Sequence, residues 1–233
     1  MSSESVESLK IDLEEGQTVS GLLQKPDKPL ACLALAHGAG AGMTHPFLAA
    51  VAAGLAERDI ATLRYQFPYM ERRSKLPDPP KLAQATVRAA VAAAGRLIPG
   101  LPLFAGGKSF GGRMTSQSQA ESPLCGVRGL VFLGFPLHPP GRPSDERAKH
   151  LFEVQVPMLF LQGTRDDFAS LTLLQPLIER LGPRATLEPF DDVDHSFHAP
   201  ARTGRKDPEI LAGVLDKLVV WIERRWKSTQ ANP

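Results

Sequence analysis

The chain has 233 residues, 42% hydrophobic and 22% charged, and its 27 basic and 25 acidic side chains leave a net charge of +2. That length and balance suit one α/β domain spanning residues 1–233, with enough mass to bury a substantial core. The charges are interspersed and the basic pairs Arg72-Arg73 and Arg224-Arg225 are short, which excludes a nucleic-acid footprint, and no apolar stretch reaches membrane-spanning length.

The opening MSSESVESLK is polar and acidic, without the basic and then apolar order of a signal peptide. Two alternating stretches, SLKIDLEE and QTVSGLLQ, flank Gly16 and predict an antiparallel hairpin. The pattern then changes to short apolar runs separated by longer amphipathic ones. The runs are LACLALA (30–36), IATLRY (60–65), LPLFAG (101–106), GLVFLGF (129–135), PMLFLQG (157–163) and ATLEPF (185–190). Near-continuous apolar runs of this length predict strands buried on both faces of a parallel sheet. Helices are predicted from Pro46 to Glu57, Pro80 to Leu97, Phe110 to Glu121, Ser170 to Leu181 and Pro208 to Trp226. The second is alanine-rich and has the highest helix propensity in the chain. The last carries Ile210, Val214, Leu218 and Trp221 at helical spacing, a core-facing stripe. The expected fold is a mostly parallel sheet of about eight strands, begun by the hairpin, with helices on both faces. Cys32 and Cys125 are far apart and read as buried or half-buried packing thiols, which fits a reducing, cytoplasmic setting better than a disulfide framework.

In such sheets the chemistry sits beyond the carboxyl ends of the strands. There the chain places HGAGAG (37–42), then Gly107-Lys108-Ser109-Phe110-Gly111, then Thr164-Arg165-Asp166-Asp167, then DDVDHSFH (191–198). A serine, an aspartate and a histidine thus follow one another at strand ends. Gly107-x-Ser109-x-Gly111 is a nucleophile-elbow pattern in the strand–turn–helix setting that it requires. The turn lifts the serine hydroxyl clear of the sheet, and the two glycines let neighbouring backbone approach. A phosphate-cradling loop is the competing reading of these glycines, but Pro102 stands where its first glycine belongs.

These motifs resemble the α/β-hydrolase fold over nearly the whole chain, and within it the cap-less, dienelactone-hydrolase-like group. AHGAGAGMTHPFL, GGKSFGGRM, FLGFPLHPPGRP and FLQGTRD…DHSF are similar to a subgroup known mainly as predicted hydrolases and testis-expressed-type homologues. The resemblance implies a triad of Ser109, Asp166 and His195, with an oxyanion hole from the backbone N–H groups of Ala39 and Phe110. His195 would take the serine's proton and Asp166 would hold the imidazole tautomer. Dienelactone hydrolase has cysteine at the elbow, so serine here makes ordinary esters or amides at least as plausible as its lactone. The stretch 137–156, where many relatives insert a cap, is short and contains Pro139, Pro140 and Pro143, so an open site for a small or exposed substrate is expected.

Asp167 rivals Asp166 as the acid, and His198 rivals His195 as the base. The cluster of Asp191, Asp192, Asp194, His195 and His198 reads as solvated loop acids, without a metal-ligand pattern, so neither metal nor cofactor is expected. His37 reads as a structural hydrogen-bonder under the oxyanion loop. Tyr65, Phe67, Tyr69, Met70 and His138 are core or pocket lining, and His138 and Tyr65 are the named candidates for substrate contact. The expected partner is a small-molecule substrate, with no nucleic acid or membrane, for a monomer or homodimer. The reading from a different class is a non-enzymatic interaction module on a hydrolase scaffold.

Overall fold

A computed structural model describes residues 5–230. Met1 to Glu4, part of the polar opening that is expected not to be a signal peptide, lie outside them. The hairpin forms as expected, with β1 (Ser5–Asp12) antiparallel to β2 (Thr18–Lys25). Six parallel strands follow: β3 (Ala31–Ala36), β4 (Ile60–Tyr65), β5 (Leu103–Lys108), β6 (Val127–Leu133), β7 (Met158–Gly163) and β8 (Ala185–Phe190). The eight form one sheet in the order β1-β2-β4-β3-β5-β6-β7-β8, with β2 joining β4 antiparallel. Each apolar run yields a strand. The sixth strand begins and ends two residues earlier than its run, because Val127 already pairs with Leu103 and Gly134 turns away at φ +70°.

Alternation along the strands divides the core between two faces. Leu33 and Leu35 of β3 join Leu159 and Leu161 of β7 beneath α1 (Pro46–Ala56) and α6 (Asp207–Gln230). In α6 the stripe Ile210, Val214, Leu218 and Trp221 is buried against that face, as its spacing predicts. Cys32, Ala34 and Ala36 point the other way, with Phe132 and Phe160, toward α3 (Pro80–Leu97), α4 (Phe110–Glu121) and α5 (Leu171–Leu181). Small residues on β3 meet a small-residue face of α3, including Ala83, Ala90 and Ala94, so helix and sheet can approach closely.

Several short elements go beyond the sequence-based expectation, two of them in the connections near the site. α2 (Pro68–Glu71) is a single turn entered through proline, and Glu146–Glu153 winds as a 3-10 helix between β6 and β7. That connection carries no cap. The chain runs from β3 outward to β4 and then back across to β5. The strand order therefore reverses beside β3, which opens a crevice at the carboxyl ends of β3 and β5.

Candidate active site

Ser109 follows the last residue of β5 and precedes the first of α4. Its backbone stands at φ 49°, ψ −115°, a region that a non-glycine residue occupies at a cost of about 1–3 kcal/mol. The glycines that frame it have a steric task. A Cβ at Gly107 would come within 2.5 Å of the Ala36 carbonyl oxygen, and one at Gly111 within 2.5 Å of that of His37. The turn is thus wedged between β3 and its loop, and any side chain at these two positions would push it out.

His195, on the loop after β8, meets this serine. Its Nε2 lies 2.9 Å from the Ser109 Oγ and its Nδ1 lies 2.7 Å from the Asp166 Oδ2. With the proton on Nδ1, the ring donates to the carboxylate and accepts from the hydroxyl. The Asp166 side chain is fully buried, whereas that of His195 keeps 20% exposure. The other bonds to Asp166 come from the Gln162 Nε2 at 2.5 Å and the Phe168 N–H at 2.8 Å. Gln162 is itself fixed, since its Oε1 accepts from the Phe135 N–H at 2.8 Å. Phe168 covers one face of the imidazole, with ring centroids 4.4 Å apart. The structure brings together Ser109, His195 and Asp166. Asp167 points to solvent, and His198 pairs with Asp207 at 2.7 Å.

The loop after β3 passes over the serine on the opposite side. His37 anchors it, with Nδ1–H donating to the Gly38 carbonyl at 2.7 Å and Nε2 accepting from the Phe67 N–H at 3.1 Å. The ring is buried, and burial drives it down from 6.5 to about 4, so it stays neutral. Tyr69 supports the same loop by accepting from the Gly40 N–H at 2.9 Å through its hydroxyl. Phe67, Tyr69 and Phe110 pack ring to ring below it, with Phe110 5.3 Å from Phe67. Among the described residues, neither the Ala39 nor the Phe110 N–H donates to a protein acceptor. Both flank Ser109, one from the loop and one from the first turn of α4, where helix N–H groups point outward.

A cavity of about 280 Å³ opens beside Ser109 and His195, walled by Ala39, Ala41, Phe47, Leu48 and Phe168. A larger polar cleft, about 680 Å³, lies on the far side of Asp166 and reaches neither Ser109 nor His195. His138 lines that polar cleft, and its ring nitrogens are bonded to the Pro139 carbonyl and the Ser170 N–H. Tyr65 requires a correction. It shares the face of β4 with Ala61 and Leu63, is 1% exposed in the core, and hydrogen-bonds the Thr115 side chain, so it cannot touch a substrate at Ser109. Cys125 is also corrected: it is exposed, while Cys32 is buried and its thiol is pushed up to about 12. In the acidic loop, Asp192 pairs with Arg202 at 2.7 Å and Asp194 caps its own turn through Ser196 and His198.

Three further side chains at the site, Gln162, Tyr69 and Lys108, do not follow from the elbow pattern. A glutamine inside a buried strand was a legible signal, because a buried amide must find partners. The Lys108 Nζ donates to the His195 carbonyl at 2.6 Å. Its signal was a lysine at the inner end of an apolar strand.

Solved structures share this architecture. Dienelactone hydrolase from Anabaena variabilis ATCC 29413 is 20% identical, with 95% of this chain and 98% of that chain covered at a TM-score of 0.76. An α/β serine hydrolase without a lid from Xanthomonas campestris is 20% identical over 93% of this chain and 95% of its own, with a TM-score of 0.71. A cold-adapted esterase from an Arctic intertidal metagenomic library is 20% identical over 93% and 94%, with a TM-score of 0.65. At such identities the likeness speaks for the fold. The family model described as an alpha/beta hydrolase domain matches residues 29–223, which takes in every strand from β3 to β8 and all the residues gathered around Ser109. By that match, this chain belongs to the alpha/beta hydrolase family.

Proposed function

We propose that the protein is a serine hydrolase of carboxylesterase type, with Ser109 as nucleophile, His195 as general base and acid, and Asp166 as its orienting carboxylate. The observation that carries this reading is the single imidazole held between hydroxyl and buried carboxylate, at 2.9 and 2.7 Å. Ser109 Oγ attacks the substrate carbonyl as His195 Nε2 takes its proton. The carbonyl oxygen, now an oxyanion, accepts from the Ala39 and Phe110 N–H groups, and each such donor stabilises the transition state by about 3 kcal/mol. His195 then protonates the leaving group, which departs and leaves an acyl-enzyme. Water, deprotonated by the same ring, releases the acid and restores Ser109. Asp166 stabilises the imidazolium that forms twice in the cycle.

Walls of alanine, leucine and phenylalanine suit a small apolar acyl or alkyl group, and the absence of a cap between β6 and β7 suits a small or exposed ester, lactone or amide. Ser109→Ala abolishes fluorophosphonate labelling and hydrolysis of p-nitrophenyl esters. Labelling that persists in this variant refutes the assignment of the nucleophile. Wild-type protein that takes up no probe favours an interaction module on the same scaffold.

A further inference from the structure

We infer that Lys108 is a positioning residue, one that ties the backbone of His195 to the strand end carrying Ser109 and opposes the imidazole's positive charge. The inference rests on the serine-hydrolase reading above. A lysine at a strand end ordinarily extends its ammonium into water. Lys108 does not. Its stem lies against Gly38, with Cγ 3.5 Å from where a Cβ there would stand, and its Nζ donates to the His195 carbonyl at 2.6 Å. The Phe197 ring centroid is 5.6 Å from the ammonium. Room for this comes from Gly134 at the end of β6. A Cβ there would stand 3.0 Å from the Lys108 Nζ, 3.3 Å from the His195 Nδ1 and 3.4 Å from the Asp166 Oδ2.

These bonds close a ring. Ser109 is joined by a peptide bond to Lys108, Lys108 holds the main chain of His195, and the His195 side chain returns to the Ser109 Oγ. The distance between nucleophile and base is therefore fixed from two directions, and a base misplaced by about 1 Å can lose about 100-fold in rate. The charged and titratable groups that face the ammonium are Asp166 on the loop after β7, with Asp194 and His195 on the loop after β8. Gly38, after β3, lies against its stem, and Gly134, after β6, lies beside the ammonium. Burial draws the ammonium down from 10.5 to about 8, so it is charged through the pH range in which a histidine base titrates. A cation bonded to the His195 carbonyl disfavours a second positive charge on the ring of the same residue.

The test compares Lys108→Met, Lys108→Gln and Lys108→Arg with wild type in p-nitrophenyl acetate hydrolysis, fluorophosphonate labelling and thermal melting. Lys108→Met keeps the stem and removes both donor and charge. It lowers kcat by about 10- to 100-fold with little change in KM, and moves the acid limb of kcat/KM up by about half a pH unit or more. Lys108→Arg keeps donor and charge and returns that limb toward wild type. If Lys108→Met shows no melting transition, Lys108→Gln, with a donor but no charge, carries the same measurement. An acid limb left at the wild-type position in a folded uncharged variant overturns the inference, whatever happens to kcat. Failure of wild-type Ser109 to take up the probe overturns the hydrolase reading itself, and this inference with it.

Discussion

His37 and His195 stand on loops at the same edge of the sheet, one after β3 and the other after β8, and both have each ring nitrogen occupied. Their partners differ in kind. His37 is bonded to a backbone carbonyl and a backbone N–H, while His195 is bonded to a carboxylate and a hydroxyl. A backbone N–H aimed at Nε2 leaves no place for a second proton, so His37 remains neutral and serves as a fixed strut. A hydroxyl can surrender its proton to Nε2, and the carboxylate behind the ring then stabilises the charge. Burial holds the His37 ring neutral, and partner chemistry then separates a histidine that ties down a loop from one placed between a hydroxyl and a carboxylate.

The sharpest way to break this comparison is to remove each ring in turn. His195→Gln keeps the volume and loses the base, and should lower kcat by about 10,000-fold or more while the melting temperature stays near wild type. A folded His195→Gln protein with wild-type turnover would end its assignment as the base. His37→Leu should do the reverse. It strands the Phe67 N–H in the core, leaves the Gly38 carbonyl with the Ala41 N–H alone, and costs about 1–3 kcal/mol of unfolding free energy, measured by urea denaturation. The same strut gives stability a pH dependence. The folded ring titrates at about 4 and an unfolded one near 6.5, so the unfolded chain binds the extra proton between those values. Stability from this ring is therefore complete above pH 6.5 and falls as pH drops toward 4, by on the order of 3 kcal/mol. His150 is also drawn down to about 4 and contributes in the same window. The acid loss should shrink in His37→Leu without vanishing, and an unchanged slope would contradict the neutral-strut account. The smallest effect is expected from Tyr69→Phe, which removes the acceptor of the Gly40 N–H in the loop after β3. A loss of about 1 kcal/mol, or about 5-fold in kcat, is expected there with KM little changed.

The parallel strands were legible because burial on both faces makes them uninterrupted apolar runs, and α6 because its stripe repeats at helical spacing. α2, four residues long, and the eight-residue 3-10 helix at Glu146–Glu153 were not, since neither is long enough to show a helical period. Tyr65 shows the same limit at a finer scale. Its place at the end of a strand run made it a candidate for the site, but the alternation of β4 sends residue 65 to the core.

The order of residues alone determined that a serine would sit in a glycine-framed turn at a strand's end, with an aspartate and a histidine at later ones, because strand, turn and helix are local and leave local patterns. The resemblance already preferred Asp166 to Asp167 and His195 to His198, but only the packed sheet brings the chosen pair beside Ser109. Neighbouring positions on a loop differ in where their side chains point, and that direction is set by contacts with strands far away in sequence. Lys108 belongs to the same class, for its meaning lies in the carbonyl of residue 195, which only folding brings to its ammonium.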